Sequence, residues 1–376
     1  MVFAPPPTAT ARRLNRATLD RQLLLGRQPL RVGEAVRRLL ALQAQEPASP
    51  YLALWNRVAG LDAAEVDRAF ADGTVVRSSL MRVTLHAVHG GDWAALHAAM
   101  TPLLRASRLA DYRWLESDLT DASALAALDD LAAFATEPRS GAEIQAMLEG
   151  RVDDPAKMWW ALRTFAPLHY RPTGGPWSFR HPASFVTAPG AAAHDDSVRA
   201  LVRRYLAAFG PASTSDIMAF TRLNSARVKA AVAGLGAELT VSDGLLDLAD
   251  ATLPPEDVAA PPRLLPMWDN VLLAYADRTR VIPADYRTVV VRRNGDVLPT
   301  LLVDGYVAGV WRPAEDGAGI EVTAFHRLDP ATWSGIATEA RALTTFLADR
   351  DPTVYRRYRH WWTKGIPSAE VRIIEA

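Results

Sequence analysis

No feature of this sequence narrows the fold as far as an order of elements that recurs three times between Thr18 and Leu248. Each time, several helical segments are followed by two strand-like segments around a turn. In the first round Thr18 reads as an N-cap for a helix to Leu25, followed by helices over 32–45, 51–58 and from Asp62 to about Ala71. After Gly73, the β-branched stretch 75–89 reads as a pair of strands. In the second round the helices are expected at 121–136, 141–148 and 155–165. Strands follow at 168–170 and 177–186, around Pro172-Thr173-Gly174-Gly175-Pro176. The third has helices at 196–209, 213–220 and 225–235, then strands at 237–241 and 245–248 around Ser242-Asp243-Gly244. Helices closed by a hairpin follow the winged-helix order, a relative of the helix-turn-helix. The rounds share this order but no residue-level repeat.

A stiff linker from Pro254-Pro255 to Pro261-Pro262 then marks a change of texture. Strands are expected at 281–282, 289–293, 300–303, 306–311 and 320–325, with Asn294-Gly295 and Asp304-Gly305 as two-residue hairpin turns. A final helix follows at 330–347, and the tail to Trp362 is rich in Arg and aromatic residues. A chain of 376 residues exceeds one ordinary core. The expected class is α+β, divided as a Pro-rich flexible arm (1–11), three winged-helix units (12–118, 119–192, 193–253) and a β-rich portion with a terminal helix (254–376).

Several chemistries drop out on composition. With no Cys there is no disulfide, thiolate or iron–sulfur chemistry. The Pro-rich start lacks the pattern of a signal peptide, and no apolar run reaches the length of a membrane span, so a cytoplasmic protein is expected. Net charge is zero, which is unusual for a nucleic-acid binder, but the charge is segregated. Residues 77–113 hold five Arg against two acids, and 156–182 hold Lys157, Arg163, Arg171 and Arg180 with no acid. Between them, 114–154 carry ten acids against Arg139 and Arg151. One basic face on a neutral molecule fits this distribution, as do ordinary solvated faces.

Gln43-Ala44-Gln45 is expected at the end of the second helix, where Pro47 forbids continuation. There the backbone leaves helix geometry and two amides can converge. A Gln amide accepts and donates hydrogen bonds but cannot take a proton, so such a pair can orient a water without deprotonating it. Taken alone, the signal is weak, and two Gln at a helix end are more often plain surface residues.

Gln43-Ala44-Gln45-Glu46-Pro47, Ser49-Pro50-Tyr51 and Leu54-Trp55, with the run from Arg77 to His86, resemble the AlkZ-like family of bacterial winged-helix DNA glycosylases. The likeness continues through Leu264-Leu265-Pro266-Met267-Trp268-Asp269-Asn270, Asp277-Arg278 and Val303-Asp304-Gly305 to Trp311-Arg312, almost the whole chain. It implies three tandem winged helices in a C-shape with a β-rich C-terminal portion. It also implies excision of bulky N7-alkylguanine from duplex DNA by a monomer that needs no cofactor. The family's catalytic motif, Gln–aliphatic–Gln, falls on Gln43 and Gln45; the sister YcaQ-like branch carries Asp where this chain has Gln45. N7 alkylation makes guanine cationic and a good leaving group, so what remains is to hold a water beneath an oxocarbenium-like sugar. No Lys stands out to form a Schiff base, and strand cleavage is not expected.

Arg77, Arg82 and His86 are the expected contacts in the DNA cleft, and Arg163, Arg171 and Arg180, flanking the second hairpin, the expected phosphate contacts. His86 and His89 lie three apart on a strand and point to opposite faces, which argues against a metal site. The rival readings are a non-catalytic winged-helix regulator and a protein that sequesters a DNA-damaging natural product.

Overall fold

A computed structural model describes residues 9–188 and 195–376. Most of the arm expected at 1–11 lies outside the described residues, and 9–11 open helix α1 (Ala9–Arg21). Thr18 is therefore no N-cap. It sits inside α1, donates to the Leu14 carbonyl and shares a 2.6 Å hydrogen bond with the Tyr275 hydroxyl. The preceding Ala and Arg residues are good helix formers, and Thr meets its hydroxyl's needs by bonding back four residues.

The helix expected over 32–45 stops early, as α2 (Val32–Arg38). Leu40 takes a left-handed φ of 69°, and the chain turns into strand β1 (Leu42–Gln43). Helices α3 (Ala48–Trp55) and α4 (Ala63–Ala71) precede the antiparallel pair β2 (Val75–Ser79) and β3 (Leu85–His89). A long helix that sequence patterning missed, α5 (Gly90–Leu109), follows, with the single turn α6 (Tyr112–Leu115). Its broad apolar face is interrupted by Gly at the start and Pro102 within, which blurs the helical signal.

The second and third rounds fall close to expectation. Helices α7 (Asp121–Phe134), α8 (Gly141–Leu148) and α9 (Pro155–Phe165) come with β4 (Arg139–Ser140), β5 (Leu168–Arg171) and β6 (Ser184–Thr187). Next are α10 (Asp195–Phe209), α11 (Thr214–Thr221) and α12 (Ser225–Leu235), then the hairpin β7 (Leu239–Ser242) and β8 (Leu245–Leu248). Most start at a side chain that accepts an otherwise orphaned N–H: Thr120, Ser140, Asp154, Ser213 and Asn224. Each such cap is worth about 1 kcal/mol. The expected strand 177–186 shrinks to β6 because Trp177 and Ser178 turn inward.

Beyond the linker, β9 (Arg263–Leu265) leads to a short helix, α13 (Arg287–Val290), that replaces the strand expected at 289–293. Asn294-Gly295 closes a turn over one isolated bridge, Val291 to Val297. The segment 281–282 forms no strand. Strands β10 (Thr300–Val303) and β11 (Tyr306–Pro313) do form a hairpin on Asp304-Gly305, whose φ values of 48° and 82° suit a type I′ turn. Gly305 is needed twice over, since a Cβ there would lie 2.5 Å from Asn15 and Leu19 of α1. Strand β12 (Gly319–Ala324), helix α14 (Pro330–Ala348) and an unforeseen edge strand, β13 (Glu370–Glu375), complete the fold.

Among the described residues three antiparallel sheets form, in an α+β protein. The first two hairpins fuse into one six-stranded sheet, β1-β3-β2-β5-β6-β4, through the pairing of Arg77 with Tyr170. β7 and β8 stand apart, and the C-terminal sheet runs β13-β12-β11-β10-β9. Two apolar cores form. One joins α1–α4 (Leu19, Leu52, Val66) to the C-terminal sheet and α14 (Leu264, Trp311, Leu343). The other joins α5 (Trp93) to the second and third rounds (Leu162, Phe209, Phe220). The first core is pinned by Arg57 and Asp269, whose paired bonds of 2.8 Å lie at 1% exposure on both sides.

Candidate active site

The Gln43–Gln45 segment is an edge strand, not a frayed helix end. β1 pairs with β3 through Leu42 with Ala87 and Gln43 with His86, and the Ala44 N–H continues the ladder to the Leu85 carbonyl at 2.8 Å. The chain then bends at Gln45. The two amides have different surroundings. Gln43 is 5% exposed; its Oε1 accepts from the N–H groups of Ala44 (2.8 Å) and Gln45 (3.3 Å), and its Nε2 donates to Thr84. Both lone pairs of that oxygen are thereby engaged. Gln45 is exposed, with Oε1 in a long 3.5 Å contact to the Leu85 N–H.

Two side chains brace this segment directly, and further ties hold the elements around it. Arg77 Nε donates to the Ala44 carbonyl (3.0 Å), its guanidinium between the rings of Tyr170 and Phe179. Asn270 Nδ2 donates to the Ala41 carbonyl (2.8 Å), and Asn270 Oδ1 accepts from Arg82. Tyr51 and Ser178 both bond Asp67, which Arg350 reaches from the C-terminal portion; these ties hold the second hairpin's loop over α3 and α4. Ser49 shares a hydrogen bond with Tyr355.

Gln45 opens into a cleft of about 650 Å³ between the first and second hairpins. Six guanidinium side chains line it: Arg77, Arg108, Arg163, Arg171, Arg180 and Arg357. Among the described lining residues Glu46 is the only carboxylate. Its side chain is 13% exposed and ion-paired to Arg357. Burial pushes the Glu46 carboxyl above its usual range, against the pull of Arg357 and Arg77. Arg77 falls to about 10, also through burial, and stays charged at neutral pH. A concave wall of six cations around one acid concentrates positive potential, which suits a polyanion. Arg163 is exposed, and its guanidinium makes no hydrogen bond or ion pair with the described residues.

Of the residues singled out from sequence, the cleft brings together Gln45, Arg77, Arg163, Arg171 and Arg180. Gln43, Arg82 and His86 do not line it. Arg82 packs on the Phe220 ring and bonds the Phe220 carbonyl, His86 and Asn270, joining three parts of the chain. His86 is fully buried and burial lowers it to about 3, so it is neutral; Nδ1–H donates to the Thr84 carbonyl and Nε2 accepts from Arg82. The tip between β2 and β3 is strained, since Arg82 and Val83 both have positive φ, an outlier for a β-branched residue. Sequence reasoning passed over Glu46, Arg108 and Arg357. Arg108 lay in the basic stretch 77–113 and Arg357 in the Arg-rich tail, but nothing local brought either to Gln45. Among the described residues no group of three or more His, Asp or Glu comes together to hold a metal.

A profile of the family described as DNA glycosylase AlkZ-like matches residues 36–346, most of the chain. The chain belongs to the AlkZ-like DNA glycosylase family. An AlkZ-like relative, the interstrand DNA cross-link repair glycosylase of Streptomyces sahachiroi, is 26% identical over 345 residues, spanning 78% of this chain and 85% of its own. The solved structure of Streptomyces sahachiroi DNA glycosylase AlkZ shares the fold with a TM-score of 0.77 at 20% identity, covering 90% of this chain and 97% of that one. The AlkZ-like family consists of N-glycosylases, which makes this chain an enzyme of that class. No helix among the described residues is long and apolar enough to cross a membrane.

Proposed function

We propose that the chain is a monofunctional DNA glycosylase that releases bulky N7-alkylguanine from duplex DNA, acting as a monomer without a cofactor. The observation that carries this reading is the placement of Gln45 in a cleft walled by six Arg side chains. In it, the three helix-and-hairpin rounds (12–118, 119–192, 193–253) act as winged-helix units arranged in a C-shape, with 254–376 as a β-rich brace. Gln45 holds the attacking water, and Gln43 fixes the backbone that presents Gln45 by accepting from the Ala44 and Gln45 N–H groups. Arg163, Arg171 and Arg180 take phosphates. Arg77 and Arg82 act from beneath the surface, by bracing the Ala44 carbonyl and the hairpin tip, and His86 supports Arg82. The cross-link repair named for the relative extends the proposal to unhooking of crosslinked guanines and to self-resistance against a DNA-alkylating natural product. Cytoplasmic residence follows from the same role.

The deciding experiment is single-turnover incubation with duplex DNA carrying N7-methylguanine and with drug-adducted duplex. The expected products are free alkylated base and an intact strand with an abasic site. A protein that binds DNA yet releases no base from either substrate is a regulator or a sequestering protein instead.

The electrostatic part has its own test. Each phosphate contact contributes a slope of about −0.9 to log affinity against log salt. Replacing Arg163 and Arg180 by Ala should flatten the slope by about 0.9 for each phosphate no longer neutralised, equally for lesion and undamaged duplex. An unchanged slope would return both residues to the ordinary surface.

A further inference from the structure

A water that attacks a sugar carbon carries a proton that must go somewhere, and neither amide of the Gln43–Gln45 motif can take it. Gln43 is further limited, since its oxygen already accepts two backbone N–H groups. We propose that Glu46 is the general base of this site, receiving the proton of the water that Gln45 positions. The assignment rests on the glycosylase reading above.

Three observations support it. Glu46 is the next residue after Gln45 and lines the same cleft. It is the single carboxylate there among the described residues, in a cleft whose wall carries six guanidiniums. A negative charge in a cleft that receives a polyanion opposes binding, and departures of this kind from the local rule mark functional positions. Its geometry is also fixed. Pro47 restricts the backbone of the residue before it, and Arg357 holds the carboxylate from the C-terminal tail. The reaction balances without any further reactant. The water oxygen bonds C1′ as the C1′–N9 bond breaks, the bonding pair leaves with the alkylguanine and cancels its positive charge, and the water proton passes to Glu46 and then to solvent.

The surroundings suit a base that acts near neutral pH. Arg357, Arg77, Asp351, Tyr355 and Tyr358 face Glu46. Burial raises both Tyr hydroxyls, which stay neutral in acid, while Arg357 is raised and Arg77, at about 10, stays charged. Glu46 itself is raised by burial, which strengthens it as a base while leaving it ionised above its own pKa. Activity should therefore fall as pH drops through that raised value. The leaving group gives no such limb, because its cationic charge comes from alkylation and not from a proton.

The experiment measures single-turnover release of N7-methylguanine from duplex DNA between about pH 4.5 and 8 for the parent, E46Q and E46D. Expected are an acidic limb in the parent and a loss of about 100-fold or more in E46Q. The residual E46Q rate should not vary with pH, E46D should recover part of the activity, and E46Q should bind duplex at least as tightly as the parent. A flat parent profile, or E46Q within threefold of the parent, overturns the assignment and leaves the glycosylase reading standing. So does loss of E46Q activity accompanied by loss of DNA binding, which marks the Glu46–Arg357 pair as structural. If the parent releases no base at all, the glycosylase reading itself fails and the assignment falls with it.

Discussion

Gln45→Ala should slow single-turnover release of N7-methylguanine by roughly 100- to 1,000-fold, the loss expected for one contact to a charged transition state. Its unfolding midpoint should not move, because the Gln45 side chain is exposed and makes only a long contact to Leu85. Gln43→Ala should lose activity as well, for a different reason. That side chain is buried and accepts from two backbone N–H groups; its loss releases the Gln45 N–H and should cost about 1 kcal/mol of stability. Gln43 acts through the placement of Gln45, so the double variant should lose less than the product of the two single losses. Gln45→Asp should retain more activity than Gln45→Ala, because a carboxylate can also hold the water. Circular dichroism and urea titration separate the two mechanisms. A folded Gln45→Ala protein that excises at the parent rate would remove Gln45 from the chemistry.

Arg57→Ala should be the most destabilising single change away from the cleft, by about 3–5 kcal/mol. Arg57 and Asp269 form two hydrogen bonds of 2.8 Å at 1% exposure, so truncating one partner leaves the other charge buried and uncompensated. Arg57 also donates to the Gln22 and Ala53 carbonyls, and Asp269 accepts from the Val271 N–H. Replacing both residues with apolar ones should therefore recover only part of the loss. The urea midpoint reads this directly, provided the slope of the transition is unchanged. A shift of under about 1 kcal/mol would mean that water reaches the pair and screens it.

Local signals carried much of the fold. Ser140, Asp154, Ser213 and Asn224 cap helices where the sequence places them, and Ser242-Asp243-Gly244 and Asp304-Gly305 turn hairpins at their expected positions. Local signals failed where a tertiary contact decided. Nothing near Leu40 announces a left-handed residue; the turn exists because β1 gains a ladder with β3. Val289 and Val290 favour a strand by type, yet they form a helical turn that buries Val290 in the first core. The site divides in the same way. Gln45 and the Arg residues of the second hairpin were visible as local patterns, and the cleft contains them. Arg357 meets Glu46 across most of the chain length, a pairing that no short window contains. His86 looked available because strand alternation gives two faces, but the first sheet is covered on both sides around it, and the ring is sealed in.

The sharing of one core by the two ends of the chain has a consequence for biosynthesis. Leu19, Leu52 and Val66 leave the ribosome early, and the residues they pack against, from Leu264 to Ile374, leave last. Helices α1–α4 can nucleate but cannot bury their apolar faces until translation is nearly complete. The middle of the chain, whose second core is built mostly from residues between Val76 and Leu248, can settle first. Folding should thus proceed from the centre outward, against the usual N-terminal-first order. A fragment ending before β9 should keep its early helices exposed and be held by chaperones or degraded, even though every residue that lines the cleft except Arg357 is already present in it.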